Sequence, residues 1–148
     1  MVNVIVPSNK FMVDTYMDWA KAEGVPIYEG FGIDLVEVKA ERWERFGVNG
    51  AIIHVTGRGD YMTVFLLEIP PGGKTIPQKH IFEAAFYVLA GNGSAVVEGY
   101  QGDRHQFEWG VHSVFAPPLN TRYQLFNVSG QRAARPRVTH RLSQTPYF

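Results

Sequence analysis

The sequence predicts an all-β protein, a sandwich or barrel of short antiparallel strands with one short helix near its start. Three observations carry this. After Val25 the chain is a succession of segments rich in β-branched and aromatic residues. Gly-, Pro- and Asn-containing turn signals divide them at short, regular spacing. Before Val25 a single stretch has helical rather than alternating periodicity. Short strands punctuated in this way indicate sheets packed face to face or closed on themselves.

The helix comes first. Asp14 or Thr15 caps it, Tyr16, Trp19 and Ala20 share one face, and Gly24 followed by Pro26 ends it. A helix of about three turns persists only by laying its apolar face on another element. Strands are then predicted at Ile33–Lys39, Ala51–Gly57, Tyr61–Ile69, Phe82–Gly91, Ser94–Tyr100, His105–Trp109, His112–Pro117 and Arg122–Val128. The turns between them fall at Gly57-Arg58-Gly59-Asp60, Pro70-Pro71-Gly72-Gly73, Gly91-Asn92-Gly93, Gly102-Asp103 and Ser129-Gly130. Gly57–Asp60 contains an Arg-Gly-Asp tripeptide, read here as a hairpin turn. In the tail, Pro136 restricts Arg132–His140 to an edge strand. Arg132, Arg135, Arg137 and Arg141 are read as a solvated, charge-protected edge rather than an anion site.

Composition bounds the function. A chain of 148 residues suggests one domain with a proper core, burying roughly 70% of the surface its unfolded form exposes. Lys plus Arg equals Asp plus Glu at 14 each, which argues against a nucleic-acid partner and eases self-association. With no cysteine, disulfides, thiolate nucleophiles and cysteine zinc sites are excluded. The start carries only a short apolar run before Pro7, and no run reaches the ~20 apolar residues of a membrane span. The expectation is a cytoplasmic protein with no membrane partner. Gly91-Asn92-Gly93 is too short for a phosphate loop and leads into a strand.

One region carries chemistry. Gly72, then Gln78-Lys79-His80, then Ala84, then Gly91 keep the spacing of a first motif G-x5-H-x-H-x3/4-E-x6-G. Phe86–Gly91 reads like the usual approach to its last glycine. A second motif, G-x5-P-x-G-x2-H-x3-N, maps loosely to Gly110, Pro117, Tyr123 and Asn127. One residue is extra before Pro117, and Leu119 stands at the glycine. In these motifs, and in strand pattern over Tyr61–Val128, the chain resembles the cupin superfamily. The helix, "GRGD" and the Pro70–His80 stretch are also similar to one barrel of larger, often two-barrel cupins. The resemblance implies a double-stranded β-helix, or jelly-roll barrel, over residues 31–140. An arm with the short helix (1–30) would precede it and a tail (141–148) would follow.

The resemblance also implies a metal centre of three imidazoles and one carboxylate inside the barrel. Here the four positions hold Gln78, His80, Ala84 and Tyr123. His80 is a sound ligand, Gln78 offers a weak carbonyl oxygen, and Ala84 offers nothing. Tyr123 binds a metal only as phenolate, with a free pKa of about 10. A catalytic zinc site wants three protein ligands, so the expectation is a degraded site without a resident cofactor. A divalent Fe, Mn, Ni or Zn ion would need Glu83, His54 or Tyr123 as supplements. Glu83 would require a β-bulge near Ile81–Phe82 to swing inward.

Three functions follow. The first is a single-domain cupin that binds a small polar or aromatic metabolite inside the barrel, where Gln78, His80 and Tyr123 line the interior between apolar walls such as Phe65, Phe86 and Leu125. His80 is then the best catalytic candidate if there is chemistry. The second is a metal-dependent dioxygenase, lyase or isomerase. The third is a structural barrel acting through dimerisation, and a homodimer is the expected assembly. His105 and His112 are placed at a rim; His140 is assigned no role.

Overall fold

The computed structural model describes residues 15–56, 62–131 and 133–141, with side chains to Pro136 in the last segment. The Gly57–Asp60 turn and Arg132 lie outside the described residues. Among these there are one helix and eleven strands: α1 (Thr15–Ala22), β1 (Ile27–Gly30), β2 (Glu41–Trp43), β3 (Val48–Val55), β4 (Met62–Glu68), β5 (Gln78–Lys79), β6 (Glu83–Ala90), β7 (Gly93–Glu98), β8 (Arg104–Trp109), β9 (Val114–Phe115), β10 (Arg122–Asn127) and β11 (Arg135–Arg141).

The strands make two sheets among the described residues. The larger runs β1-β3-β4-β11-β6-β9, with β2 also on β3, and the smaller runs β5-β10-β7-β8. Every pairing is antiparallel except β1 with β3. One core cluster draws on both sheets: Phe65 and Phe86 from the larger, Ala95, Tyr123 and Leu125 from the smaller. The two sheets therefore face each other across a shared interior, and the all-β barrel of the sequence reading is the observed architecture.

Alternation explains the strands that have one buried face. Along β6, Ala84, Phe86 and Val88 are buried while Glu83 and Ala85 are exposed. Along β10, Tyr123, Leu125 and Asn127 turn inward. β3 and β4 do not alternate, because both of their faces are covered. Their second face, made of Ala51, Ile53, Val64 and Leu66, forms a smaller cluster with Val38, and Ile33 and Leu35 pack against it.

That outer cluster corrects the first predicted strand. Ile33–Lys39 has the residue pattern of a strand but forms a turn and strap over the outside of the larger sheet. The Asp34 carboxylate accepts from Val36 N at 2.9 Å, and Asp34 O accepts from Glu37 N at 3.2 Å. An Asp that bonds the backbone two residues on favours a turn over a ladder. Arg135 secures the strap, donating from Nη2 to Val38 O at 2.7 Å and pairing through Nε with Glu68 Oε2 at 3.1 Å.

The tail is the second correction. β11 is not an edge strand: it lies between β4 and β6. Pro136 is tolerated because it sits at a register irregularity next to Arg135, and pairing with β4 begins only at Arg137. Proline is admitted to sheets at strand starts and bulges. Arg135 thereby has a structural role; the side chains of Arg137 and Arg141 lie outside the described residues. Strands β1 and β2 were not predicted. β1 falls within the expected arm of residues 1–30.

The predicted helix is present from Thr15 and stops where expected, with Gly24 in the left-handed region at φ 70°. Ala20 is fully buried, and the Trp19 ring lies 5.7 Å from that of Phe65. The C-terminal end of the helix is tied down by Glu23. Its carboxylate accepts from Trp43 Nε1 at 2.6 Å and from Arg45 Nε and Nη2 at 2.8 and 2.6 Å. At the β6–β7 turn Gly93 has no room for a side chain: an added Cβ would stand 2.1 Å from Phe126 O and 2.3 Å from the Trp109 ring.

Candidate functional site

The short strand β5 brings Gln78 beside Tyr123 and Lys79 beside Arg122 on β10. Asn120 N donates to His80 O at 2.9 Å and holds the chain where it leaves the ladder. Directly opposed residues of an antiparallel pair share a face, so Gln78 and the buried Tyr123 belong to the inward face. Strict counting of the second motif from Leu119 would end on Arg122, which is exposed; the structure places Tyr123 inward instead.

His80 is fixed at both ring nitrogens. Nδ1 lies 2.8 Å from Phe82 O and Nε2 lies 3.1 Å from Tyr123 Oη. A carbonyl can only accept, so Nδ1 carries the proton; Nε2 then accepts from the Tyr123 hydroxyl. The imidazole also stacks on Phe82, with centroids 4.1 Å apart and planes 3° apart. Burial lowers the His80 pKa, and the bond to Phe82 O opposes this with smaller effect. Burial pushes the Tyr123 phenol well above its ordinary range. At neutral pH the pair is an uncharged imidazole and an uncharged phenol.

Gln78 is also engaged. Its Nε2 donates to Arg45 O at 2.8 Å and to Ile76 O at 3.3 Å. Ala84 is buried at 4% exposure. Glu83 is exposed, and the β6–β11 ladder passes through it without a register shift. No bulge swings it inward. His54, on β3, is half-buried and stacks on Tyr16 at 5.8 Å.

These donors do not fit the metal quartet. Ala84 supplies none, Tyr123 resists ionisation, Gln78 directs its amide nitrogen to backbone carbonyls, and His80 alone remains. Among the described residues no three His, Asp or Glu side chains gather around one point. Asn127, the last residue of the second motif, is structural. Its Nδ2 donates to Ile69 O and Pro70 O at 3.0 and 3.1 Å, and its Oδ1 accepts from Ser129 N at 2.9 Å.

The expected pocket walls are buried in the main core. Phe65, Phe86 and Leu125 are 3%, 0% and 1% exposed. Phe86 meets Phe115 at 4.9 Å and Tyr123 at 5.5 Å, and Phe65 meets Trp43 at 5.0 Å. His80 stands outside this core cluster. Apolar side chains are exposed around it: Ile81 next in the chain, Leu119 beside Asn120, and Tyr100, whose hydroxyl donates to Leu119 O. His105 and His112 are exposed and held locally, by Asp103 Oδ2 at 2.7 Å and Tyr87 Oη at 2.7 Å. Sequence reasoning missed Phe82 and Arg45, which act through backbone carbonyls and leave no side-chain signature.

No protein-family model matches the chain, and neither does any curated protein. Solved structures do match. The Schizosaccharomyces pombe Cnp3 cupin domain superposes with a TM-score of 0.62 at 18% identity, covering 76% of this chain and 74% of that one. The protein has a cupin fold. A formate complex of Lactobacillus farciminis oxalate decarboxylase gives 0.61 at 17% identity over 73% of this chain, which spans only 32% of that enzyme. Vicilin from Solanum lycopersicum gives 0.59 at 18% identity, over 70% of this chain and 32% of that one. Cupin neighbours thus include both an enzyme and other proteins, and at such identities the likeness establishes the barrel alone. No helix among the described residues is long and apolar enough to cross a membrane.

Proposed function

We propose that this cupin barrel is a binding module for a small polar or aromatic metabolite, held at the barrel mouth by His80, Tyr123 and Gln78. The observation that carries the reading is the uncharged His80–Tyr123 pair, oriented by Phe82 O and bordered by the exposed Ile81, Leu119 and Tyr100. A few fixed polar groups within an apolar rim are what a small-molecule site needs. The packed interior below favours a ligand at the mouth over one deep in the barrel. The family quartet plays no part, since its donors are missing.

The test is a thermal-shift and calorimetric panel of small carboxylates, including formate, and aromatic metabolites. A ligand that binds only the folded chain stabilises it by about 2.7 kcal/mol at a concentration of 100 Kd. The expected result is such a shift, abolished in His80→Ala and weakened in Tyr123→Phe. A panel without effect, or a shift that survives both substitutions, overturns the reading.

A second reading has its own observation. Phe31 and Val36, around the outer strap, are 87% and 76% exposed, and the chain has no net charge at neutral pH. Exposed apolar residues of this kind suit an interface between two copies. Sedimentation velocity is expected to show a dimer that Phe31→Asp converts to monomer. A wild-type monomer at tens of micromolar, as an order-of-magnitude ceiling for a working assembly, would remove this reading and leave the first intact.

A further inference from the structure

Among the described residues the smaller sheet ends on β8, which pairs with β7 on one side and with nothing on the other. β8 has six residues, whereas the other sheet ends have four in β1 and two each in β5 and β9. Its register with β7 runs from Gly93–Trp109 to Glu98–Arg104 without a shift. It carries no proline and no bulge, two of the devices that keep such an edge from pairing.

The turn before β8 shows which backbone groups point outward. Gly99 N donates to Asp103 O at 2.8 Å, and these two residues continue the β7–β8 register by one step. Bonded pairs recur at every second residue of an antiparallel ladder. His105, Phe107 and Trp109 therefore direct their N–H and C=O groups to β7. Arg104, Gln106 and Glu108 turn theirs to the free edge, and a row of unpaired backbone groups is a template for another strand.

The side chains of these three residues make the edge self-complementary. All three are exposed on one face of the sheet, with Arg104 and Glu108 placed symmetrically about Gln106. Consider β8 laid antiparallel on its own copy, with a two-fold axis through Gln106. Arg104 then meets the partner's Glu108 on each side of the axis, and Gln106 meets its counterpart. Each is a bonded pair that exchanges two N–H···O bonds, and both charged pairs are of opposite sign. A shift by one residue sets outward groups against groups already bonded to β7. A shift by two leaves a charged residue without its opposite. On the other face this register lays His105 against the partner's Phe107, whose ring is only partly buried within one chain.

We propose that β8 pairs with β8 of a second copy of this chain, antiparallel about Gln106, and joins the two smaller sheets into one. The pairing does not depend on the metabolite reading. The strap surface with Phe31 and Val36 lies on the larger sheet and competes with β8 as the dimer contact.

The chain has no cysteine, so one introduced thiol reports one contact. The pairing puts the two copies of residue 106 about 5.5 Å apart at Cα, within reach of a disulfide. Mild oxidation of native Gln106→Cys is expected to give a covalent dimer at least about tenfold faster than Lys74→Cys, because association raises the local thiol concentration. Lys74 is exposed and bridges Phe126 on β10. Charge reversal tests the register. Arg104→Glu and Glu108→Arg each turn both cross-axis pairs into like charges and should each weaken the dimer about tenfold in sedimentation velocity. The double variant should recover it. Glu98 stands opposite Arg104 within the chain and repels the new carboxylate in the double variant too. Positions 104 and 108 of one strand are roughly 13 Å apart, so only the partner strand can supply the recovery. Gln106→Pro removes an N–H that β7 does not use, so it should fold by circular dichroism and sediment as a monomer. Phe31→Asp should remain dimeric. The proposal falls if Gln106→Cys cross-links no faster than Lys74→Cys, if the double reversal recovers nothing, or if Phe31→Asp alone yields monomer, which would assign the contact to the strap. Should Gln106→Pro not fold, the thiol and reversal results carry the same decision.

Discussion

Phe86→Ala is expected to destabilise the barrel by about 3–5 kcal/mol, the range for removing a fully buried aromatic ring. Phe86 has no exposure and meets both Phe115 and Tyr123. Removing it strips contacts from rings of both sheets, and the backbone ladders on either side of β6 leave little freedom to collapse into the gap. Urea unfolding should show a lower midpoint with an unchanged slope. The same substitution opens space beneath His80, so small apolar molecules should stabilise the variant and not the wild type. A loss below about 1.5 kcal/mol, well short of the usual aromatic truncation, would show that the barrel interior is loosely filled.

Glu23→Ala is expected to cost about 2–3 kcal/mol, in the range of a hydrogen bond to a charged group. The main loss is the acceptor for Trp43 Nε1, whose residue is fully buried. The Arg45 pair adds less, because the Arg45 side chain is 37% exposed and the pair is screened by solvent. Acid should act on the same contact. Burial alone would raise the Glu23 pKa, but the bonds from Arg45 and Trp43 outweigh it and hold the carboxyl below its ordinary value of 4.5. The unfolded chain therefore takes up the proton first as pH falls. The contribution is fully present above pH 4.5 and is lost as pH drops through the folded value. Glu23→Gln keeps an oxygen for the indole and removes the charge, so its stability should be flatter than wild type below pH 4.5. Identical acid limbs for the two proteins would assign the acid sensitivity elsewhere.

The strands read from the sequence are those with one clear signal. β6 and β10 alternate, and Gly91, at φ 81°, supplies the positive-φ turn that leaves β6. Ile33–Lys39 misled because an apolar pattern says that a segment is covered, not that it has ladder partners. It is covered by docking on the outside of β3 and β4, and Asp34 bends it. β11 misled in the opposite sense. Pro136 signals an edge, yet it occupies an irregularity at the mouth of a central strand. At the site, the first motif's spacing places His80 and Ala84, whereas Tyr123 comes from a loose match whose strict count ends on Arg122, and only the ladder with β5 shows it on the inward face. The carbonyls of Phe82 and Arg45 that orient His80 and Gln78 have no residue-type signature, so only the folded chain could reveal them.

The sequence by itself determined the β-rich class, the helix and its end, and which residue types stand at the first cupin motif, because these depend on residue type at short spacing. Tertiary structure alone decided that the interior is packed with rings and that the tail is a central strand. It also decided that His140 stands across from Ala84, 56 residues away in the chain. Such relations depend on which strands pair and in what register, and register is set by burial across the whole sheet rather than by any local run of residues.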